Sequence, residues 1–439
     1  MKAKEFIVLI LIIIAGITFY YAQTGKIDID WCINDHFLFS FQGFDFEESQ
    51  KIDPPFPPEI QVINAHGNIE IQGTEEQQVT ISLKKKIWRK NEEEAQKVSE
   101  ALHLVINKDN QQLTVSSNRE EFRRKKFETS FIIYIPQSMN VKVKNSHGLV
   151  KVQNTGGTEI INPHGKIIAK DITGALIIKN RHKNIEIENI LSDCQIESAH
   201  SDITGSNIQG NVHISHAYGK IHLEDISKGV TLEGSHTQIL GDNLAGPLNI
   251  ESSYEKIVLT DIGSTKIRCR HGDIEITGGK GSLDIMDKYG KVKLDDIEGD
   301  LSIEGKNLQI YGKNITGETI TVSSSYKDVK LINFSGNTTI FLSHGNIYLE
   351  PYPLTHPIEV KGQYADLTFH WPSGQKYPIE ARVKGGEIKW ELPEELSFEE
   401  TNNLSIIKAF SDEKDQHPIF LSTTYGTIRI KLARDNVNK

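Results

Sequence analysis

The sequence that decides the fold is SHAYGKIHLEDI at residues 215–226, and variants of it return along half of the chain. Each variant places a histidine or tyrosine, in one case a glycine, at a turn. These turn residues are His147, His164, His182, His200, Tyr218, His236, Tyr254, His271, Tyr289, Gly305, Tyr326, His344 and Tyr364. The spacing between successive members is nearly constant. A fixed period of about 20 residues indicates a solenoid.

Within each unit, aliphatic residues alternate with polar ones over short stretches, as at Ile221 and Leu223. This period of two indicates short strands. One coil cannot bury its aliphatic row alone, whereas coils stacked in parallel about 4.8 Å apart enclose a continuous core. The sequence therefore predicts an all-β fold, a single-stranded parallel β-helix of triangular coils. A right-handed helix is expected, because parallel crossovers favour that hand and no strict hexapeptide rhythm is visible.

Two turns in each coil have a recognisable residue pattern. In the first, a glycine follows the histidine or tyrosine, as at Gly148 and Gly219, where a residue without Cβ can adopt positive φ. In the second, an aspartate or asparagine precedes an aliphatic residue, as at Asp171, Asn243 and Asp296. Asp and Asn tolerate left-handed conformations. Both turns are interpreted as structural.

The N-terminal segment predicts a membrane anchor. Residues 6–21 read FIVLILIIIAGITFYY without a charge, and as a helix they cover about 24 Å of a hydrocarbon core of about 30 Å. Residues 1–5 are a cytoplasmic tip and 6–22 a transmembrane signal anchor. A cleaved signal peptide is the alternative, although tyrosines before Ala22 make a poor cleavage site. Lys2 and Lys4 place the body outside the cytoplasm, so a single-pass membrane protein is expected.

The remaining chain divides into four predicted segments. Residues 23–58 form a linker that ends in a proline cluster, and residues 59–140 form an N-terminal α+β cap with one helix starting near Asn91. Residues 141–370 carry the β-helix repeats, and 371–439 form the C-terminal coils and cap. The net charge of -10, with no long charged run, argues against a nucleic-acid partner. Cys194 and Cys269 fall at core positions too far apart for a disulfide.

The turn residues form the main candidate site, a ladder of rings on successive coils. Its predicted members are His66, His147, His164, His182, His200, Tyr218, His236, Tyr254, His271, Tyr289, Tyr326 and His344. A packing ladder is favoured, because tyrosine alternates with histidine and does not replace it as an ordinary zinc ligand. Neighbouring imidazoles sharing a metal ion are the alternative, at His147, His164, His182 and His200. Protonation of stacked histidines also predicts pH-dependent stability.

Other charged residues suggest weaker candidates. A polyanion contact is proposed for two basic clusters, although edge lysines that prevent aggregation explain them equally well. The clusters are Lys84, Lys85 and Lys86, and Arg123, Arg124 and Lys125. Glycosidase carboxylates are about 5 to 10 Å apart, and the pairs Asp295 with Asp296 and Glu186 with Glu188 could be nominated. Asp296 already belongs to a turn motif, and no nucleophile motif or cofactor site is visible.

A family resemblance follows from the turn and core motifs. The chain resembles the bacterial putative-adhesin family of β-helix proteins over residues 59 to 432. The motifs are GNIEIQG at 67–73, the helix in the cap, YIP at 134–136, and YGTIRI at 425–430. The resemblance implies a bacterial envelope protein with a non-enzymatic surface role. Histidine and tyrosine at the turn depart from the serine or asparagine expected in relatives.

Two functions remain open from the sequence. The first is a membrane-anchored extracytoplasmic β-helix acting as a non-catalytic, adhesin-like binding or structural module of the cell envelope. Its partner would be an envelope polymer or a membrane or surface protein. The second is a polysaccharide-active β-helix enzyme of the cell surface, a lyase or hydrolase, for which a cleft of clustered carboxylates would be required.

Overall fold

A computed structural model describes residues 42–122, 126–393, 396–401, 403–410 and 419–433. The predicted anchor at 6–22 and the cluster Arg123, Arg124 and Lys125 lie outside these residues. Among the described residues, no helix has the length and apolar character needed to cross a bilayer. The described chain is all-β and forms a solenoid of about 13 turns, as the period predicts.

The N-terminal cap covers the first end of the solenoid. Its elements are β1 (Gln42–Ile52), β2 (Glu59–Ile63), β3 (Ile69–Thr74), β4 (Val79–Arg89), helix α1 (Glu92–Ala101), β5 (Leu104–Lys108), β6 (Gln112–Ser117), a 3₁₀ turn (Arg119–Phe122) and β7 (Phe127–Pro136). The predicted helix is confirmed, and the side chain of Asn91 caps it by accepting a 2.9 Å hydrogen bond from the backbone N–H of Glu94.

The cap begins earlier than the sequence predicts. Residues 42–52, assigned to the linker from composition, form β1, which pairs antiparallel with the whole of β4. Phe44 and Phe46 of β1 pack on a small second core that contains Phe122 and Phe127. The pairing covers a long strand edge that would otherwise be exposed to other chains.

The repeats stack in parallel with a nearly constant offset. Their strands are β8 (Asn140–Lys144), β9 (Val150–Thr155), β10 (Thr158–Asn162), β11 (Ile167–Ile172), β12 (Leu176–Asn180), β13 (Ile185–Ile190), β14 (Cys194–Ile208), β15 (Val212–Ile226), β16 (Val230–Leu244), β17 (Leu248–Glu251), β18 (Ile257–Ile262), β19 (Thr265–Lys280), β20 (Leu283–Glu298), β21 (Leu301–Tyr326), β22 (Val329–Pro351) and β23 (Ile358–Trp371). Ile203 pairs with Ile221 and Ile221 with Ile239, so each lies on its equivalent in the next coil. These columns of buried aliphatic residues form one core along the solenoid.

The C-terminal segment closes the other end. Its strands are β24 (Ile379–Lys384), β25 (Glu387–Glu391), β26 (Ser397–Thr401), β27 (Leu404–Ala409), β28 (Ile419–Thr424) and β29 (Thr427–Leu432). Strands β28 and β29 add a last parallel layer to β23, and β24 and β25 pair with them in turn. Strands β26 and β27 form an antiparallel hairpin on β24.

The turn predictions are confirmed at the five positions named above, although Gly165 and Gly272, which also follow a ladder histidine, do not have a left-handed backbone. Asp171, Asn243 and Asp296 have φ of 54°, 51° and 53°. Gly148 and Gly219 have φ of 106° and 157°. One further feature was not anticipated: several ladder residues, Tyr218 among them, are themselves left-handed. Such a conformation is uncommon for a residue with a bulky side chain, so neighbouring coils must hold it in place.

One predicted ladder position is wrong. The sequence places Gly305 at the turn after Tyr289, but the register pairs Tyr289 with Asn307. The coil period is unchanged here, and the extra length is accommodated farther on, at the register shift between Thr316 and Thr319. Because the corner at Asn307 has neither a ring nor a following glycine, its sequence does not identify the turn.

Candidate binding surface at the histidine and tyrosine ladder

The predicted rings stack face to face along one corner of the solenoid. Ten rings, from His66 to Tyr289, make nine contacts with centroid distances of 4.5 to 5.9 Å and interplanar angles of 4° to 21°. A second stack begins after Asn307 and contains Tyr326, His344, Tyr364 and Tyr425. These fourteen rings are called the ladder below. Its spacing equals the coil rise, because each ring stands on its own coil.

The geometry of the ladder favours packing over metal binding. The nitrogen lone pairs of an imidazole lie in the plane of its ring, so in a face-to-face stack they point outward side by side and do not converge. His164 and His182 stack at 4.9 Å and 11°, and His236 and Tyr254 do so at 4.9 Å and 17°. In the part of the chain that is described, no group of three His, Cys, Asp or Glu side chains could hold a metal ion.

Desolvation within the stack lowers the pKa of His182, and the nearby His164, His200 and Arg181 lower it further. The unfolded chain therefore binds more protons than the native state just below pH ~6.5, and stability falls as the pH falls. We expect the melting temperature of His182→Tyr to fall less than that of the wild type between about pH 7.5 and 5, as measured by heat denaturation. His103→Tyr, in the cap, should behave like the wild type. Equal losses in all three proteins would contradict the assignment.

Beneath the ladder, two residues before the ring in most coils, lies a row of largely polar inward side chains that was not predicted from the sequence. In the early coils these are buried asparagines. The Nδ2 of Asn162 donates to the carbonyl of Gly148 at 2.9 Å, and the Nδ2 of Asn180 donates to that of Gly165 at 2.8 Å. Each asparagine thus ties its corner to the coil before it. The repeated asparagine two positions ahead of the histidine was the available signal.

Replacing Asn180 by alanine is expected to reduce the free energy of unfolding by about 1 to 3 kcal/mol, because buried polar groups lose their partners. Its side chain donates to two carbonyls, at 2.7 and 2.8 Å, and accepts from the N–H of Lys183 at 3.2 Å. Urea denaturation would measure the change. Asn249→Ala is the matched control, since Asn249 is exposed and should shift stability by no more than about 0.5 kcal/mol.

Farther along, the same row contains titratable groups. His216 is buried, its Nε2 lies 2.9 Å from the carbonyl of Ser201, and burial lowers its pKa. Burial raises the pKa of Cys269, in this row, to about 11, and that of Cys194, in another core column, to about 12. These thiols are therefore buried core groups, as predicted, and poor nucleophiles. Burial also raises the pKa of Asp287 to about 6, and its Oδ2 has no hydrogen-bond partner.

A groove of about 700 Å³ runs beside the ladder over the coils of His200 to Tyr289. The groove exists because the residue directly before the ring is small in four successive coils. The corresponding residue is Arg181 in the coil before these four and Arg270 in the coil after them. Its floor includes Ser198, Ala217, Gly234, Ser235, Ser252 and Ser253. This groove has no signature in the sequence, because small residues at a turn form no motif.

The two ends of the groove differ in charge. Glu197, Glu233 and Glu251 line one end, and Arg268, Arg270 and Lys288 line the other. The guanidinium of Arg268 is paired with Asp284 at 2.6 Å, whereas Arg270 and Lys288 are exposed. The groove therefore presents an acidic end and a basic end to a ligand that lies along the solenoid.

One lysine of the predicted polyanion contact is buried and cannot meet a ligand. Lys85 is buried, and its Nζ forms an ion pair with Glu48 at 2.8 Å and donates to the carbonyl of Ser99. Lys84 and Lys86 are exposed, but the register sets them opposite Glu47 and Asp45. Acidic partners across the strand pair offset the positive charge. Because β4 pairs with β1 on one side and with β7 on the other, these lysines do not lie on a free sheet edge, and the edge-lysine interpretation is wrong.

The nominated catalytic carboxylates join coils together. Glu186 forms an ion pair with Lys166, and Glu188 forms one with Lys170. The Nδ2 of Asn314 donates to Asp295 at 3.0 Å and to Asp296 at 2.8 Å. Both pairs therefore have a structural explanation.

Comparison with known proteins identifies the family. No curated protein matches the chain. A crystal structure of a putative cell adhesion protein from Clostridium sporogenes ATCC 15579 covers 89% of this chain and 100% of its own, at 10% identity and a TM-score of 0.16. That likeness is too weak to inform fold or function. The Toastrack DUF4097 family matches residues 58–431, which include β2 to β28 and nearly all of β29. The chain therefore belongs to the Toastrack DUF4097 family.

Proposed function

We propose that the chain is a non-catalytic, adhesin-like binding or structural module of the bacterial cell envelope. Residues 6–22 anchor it in the membrane, and the solenoid lies outside the cytoplasm. The observation that carries the proposal is the groove beside the ladder, a long open surface set on a rigid stack of coils. Its partner is an envelope polymer or a membrane or surface protein, and the net charge of -10 disfavours nucleic acid.

The chemistry of the described surface supports binding over catalysis. A glycosidase needs an acid and a base or nucleophile held at a common scissile bond. The nominated carboxylates are instead engaged in contacts between coils.

The test is binding of the purified full-length chain, in detergent, to envelope fractions and to a panel of envelope glycans. Reaction products are assayed in the same tubes. We expect saturable binding without product, and a loss of at least about tenfold in Ser235→Arg, which places a long side chain in the groove. Ser227→Arg, at an exposed position away from the ladder, is the matched control. Released oligosaccharides would overturn the proposal in favour of an enzyme.

The location is tested separately in intact cells. We expect a membrane-impermeant amine reagent to label lysines of the solenoid without lysis of the cytoplasmic membrane, as positively charged residues ahead of the anchor imply. A cytoplasmic protein should stay unlabelled in the same sample. Labelling that requires rupture of the cytoplasmic membrane would place the body inside.

A further inference from the structure

The ladder is interrupted at one coil in its length. Tyr289 pairs with Asn307. Ile310 pairs with Val329, and counting back three positions on each strand sets Asn307 opposite Tyr326. One ring is therefore missing between Tyr289 and Tyr326, whose planes are two coil steps, about 10 Å, apart. Both tyrosines are partly exposed, at 38% and 47%.

This interruption leaves a gap with the dimensions of one ring. Elsewhere each coil step holds a ring, at 4.8 Å between His271 and Tyr289 and at 5.0 Å between Tyr326 and His344. The side chain of Asn307 is shorter than a ring and half-buried, and no hydrogen bond joins it to another described residue. The gap thus has two phenol faces as walls and a free amide at its base.

The groove leads to this gap. Lys288, which lines the basic end of the groove, directly precedes Tyr289. In coil steps of about 4.8 Å, Lys288 and Arg270 lie about 5 and 10 Å from the gap, and Glu251 and Glu233 about 14 and 19 Å. A ligand that enters the gap and continues along the groove meets positive charge first and negative charge next.

We propose that the gap and the groove together bind an extended peptide segment of a protein partner, with one aromatic side chain inserted between Tyr289 and Tyr326. An extended chain advances about 3.3 Å per residue. An acidic residue about two to three positions from the aromatic one then meets Lys288 or Arg270. Basic residues about four and six positions away meet Glu251 and Glu233. This proposal rests on the proposed binding function and specifies the partner.

Two observations favour a peptide over a glycan. The ladder itself shows that aromatic side chains fit this spacing. Between the coils of His66 and Tyr364, each coil apart from that of Asn307 holds a histidine or tyrosine ring at this corner. The charge also reverses along the groove, which suits a segment carrying both carboxylate and ammonium groups, whereas a neutral sugar chain has no charges to match it. Each aromatic pair adds to the affinity beyond the area that it buries, and the two walls of the gap provide two such pairs.

The test measures fluorescence anisotropy of labelled heptapeptides with the full-length chain in detergent at low salt. The probe has tryptophan at one end, glutamate two positions away and lysines four and six positions away, made in both chain directions. We expect at least one direction to bind. Replacing the tryptophan by alanine, or exchanging glutamate and lysines, should weaken binding by about tenfold, and added salt should weaken it further.

Two protein variants test the role of the gap: one fills it and the other keeps it open. Asn307→Tyr supplies the missing ring, so it should reduce peptide binding by about tenfold while leaving or raising the melting temperature. Asn307→Ser keeps the gap and should stay within about threefold of the wild type. No binding in either direction, or equal binding by Asn307→Tyr, would overturn the proposal.

The outcome is separable from that of the proposed function. If envelope fractions bind the chain but peptide binding is absent or insensitive to Asn307→Tyr, only the peptide proposal fails. If an uncharged envelope oligosaccharide binds and Asn307→Tyr abolishes that binding, the gap takes a sugar ring and the peptide proposal is wrong. Absence of envelope binding altogether contradicts the proposed function itself.

Discussion

Gly219→Ala is expected to destabilise the solenoid by about 3 to 5 kcal/mol, among the largest effects of a single substitution. A Cβ at this position would lie 2.0 Å from the backbone carbonyl oxygen of Ser201 in the preceding coil. Both atoms belong to backbone that the parallel register fixes, with Ser201 paired to Gly219. The clash cannot be relieved by rotating a side chain, so the two coils must separate and lose ladder hydrogen bonds.

Urea denaturation of wild type, Gly219→Ala and Gly374→Ala would measure this effect. Gly374 also has positive φ, at 73°, but a Cβ there meets nothing within 4 Å. Its substitution reports the cost of left-handed backbone alone, about 1 kcal/mol. We expect Gly219→Ala to exceed that control severalfold. Equal losses would mean that conformational strain, and not close approach of the coils, makes glycine necessary.

Asp287→Asn is expected to stabilise the protein by about 3 kcal/mol above pH ~6 and to have little effect near pH 4. Burial raises the pKa of Asp287 to about 6, from an ordinary value of 3.8. The native state therefore binds more protons than the unfolded chain between these values, and stability falls as the pH rises through the interval. A neutral amide removes this dependence.

The position of Asp287 explains why asparagine should fit. It belongs to the inward row in which Asn162 and Asn180 donate from Nδ2 to a carbonyl of the preceding coil. In the coil before Asp287, the carbonyl at the equivalent position belongs to Gly272, which pairs with Gly290. An amide at 287 can donate in the same manner, whereas the ionised carboxylate leaves Oδ2 without a partner.

Denaturation at several pH values between about 4 and 8 would separate the two contributions. The difference between Asp287→Asn and wild type should grow with pH and level off above about 6.5. Asp284→Asn is the matched control, since Asp284 is on the same strand and partly exposed. Its paired carboxylate has a lowered pKa, so this substitution should not stabilise. A stability gain for Asp287→Asn that is independent of pH would contradict burial of a titrating carboxylate.

The repeat made much of the fold predictable, because the same physical requirement returns in every coil. Ile203, Ile221 and Ile239 occur at the same place in successive units, and only parallel stacking buries all three in one column. Asp171 and Asn243 adopt the left-handed turns that their side chains favour. The stack of rings followed from the same reasoning, since residues one period apart must lie one coil apart.

Features that depend on contacts between distant segments could not be predicted. The segment of β1 has a polar composition, and it joins the sheet only because β4, which follows β2 and β3 in the chain, offers a long edge. Lys85 is one of three consecutive lysines, and its burial against Glu48 depends on that pairing. Asn307 was missed because its corner lacks the ring and glycine that mark the others, so only the pairing of β20 with β21 locates it.

The sequence by itself determined the period, the core columns and the ladder, because these are properties that one coil repeats and that stacking then aligns. The tertiary structure alone decided where the ladder stops, which carboxylates are buried or paired, and where small turn residues combine into a groove. Those features depend on the register between coils and on side chains from several coils meeting at one place. A repeating sequence specifies the stacking. Each local surface is formed by side chains that differ from the repeat and that stacking places next to one another.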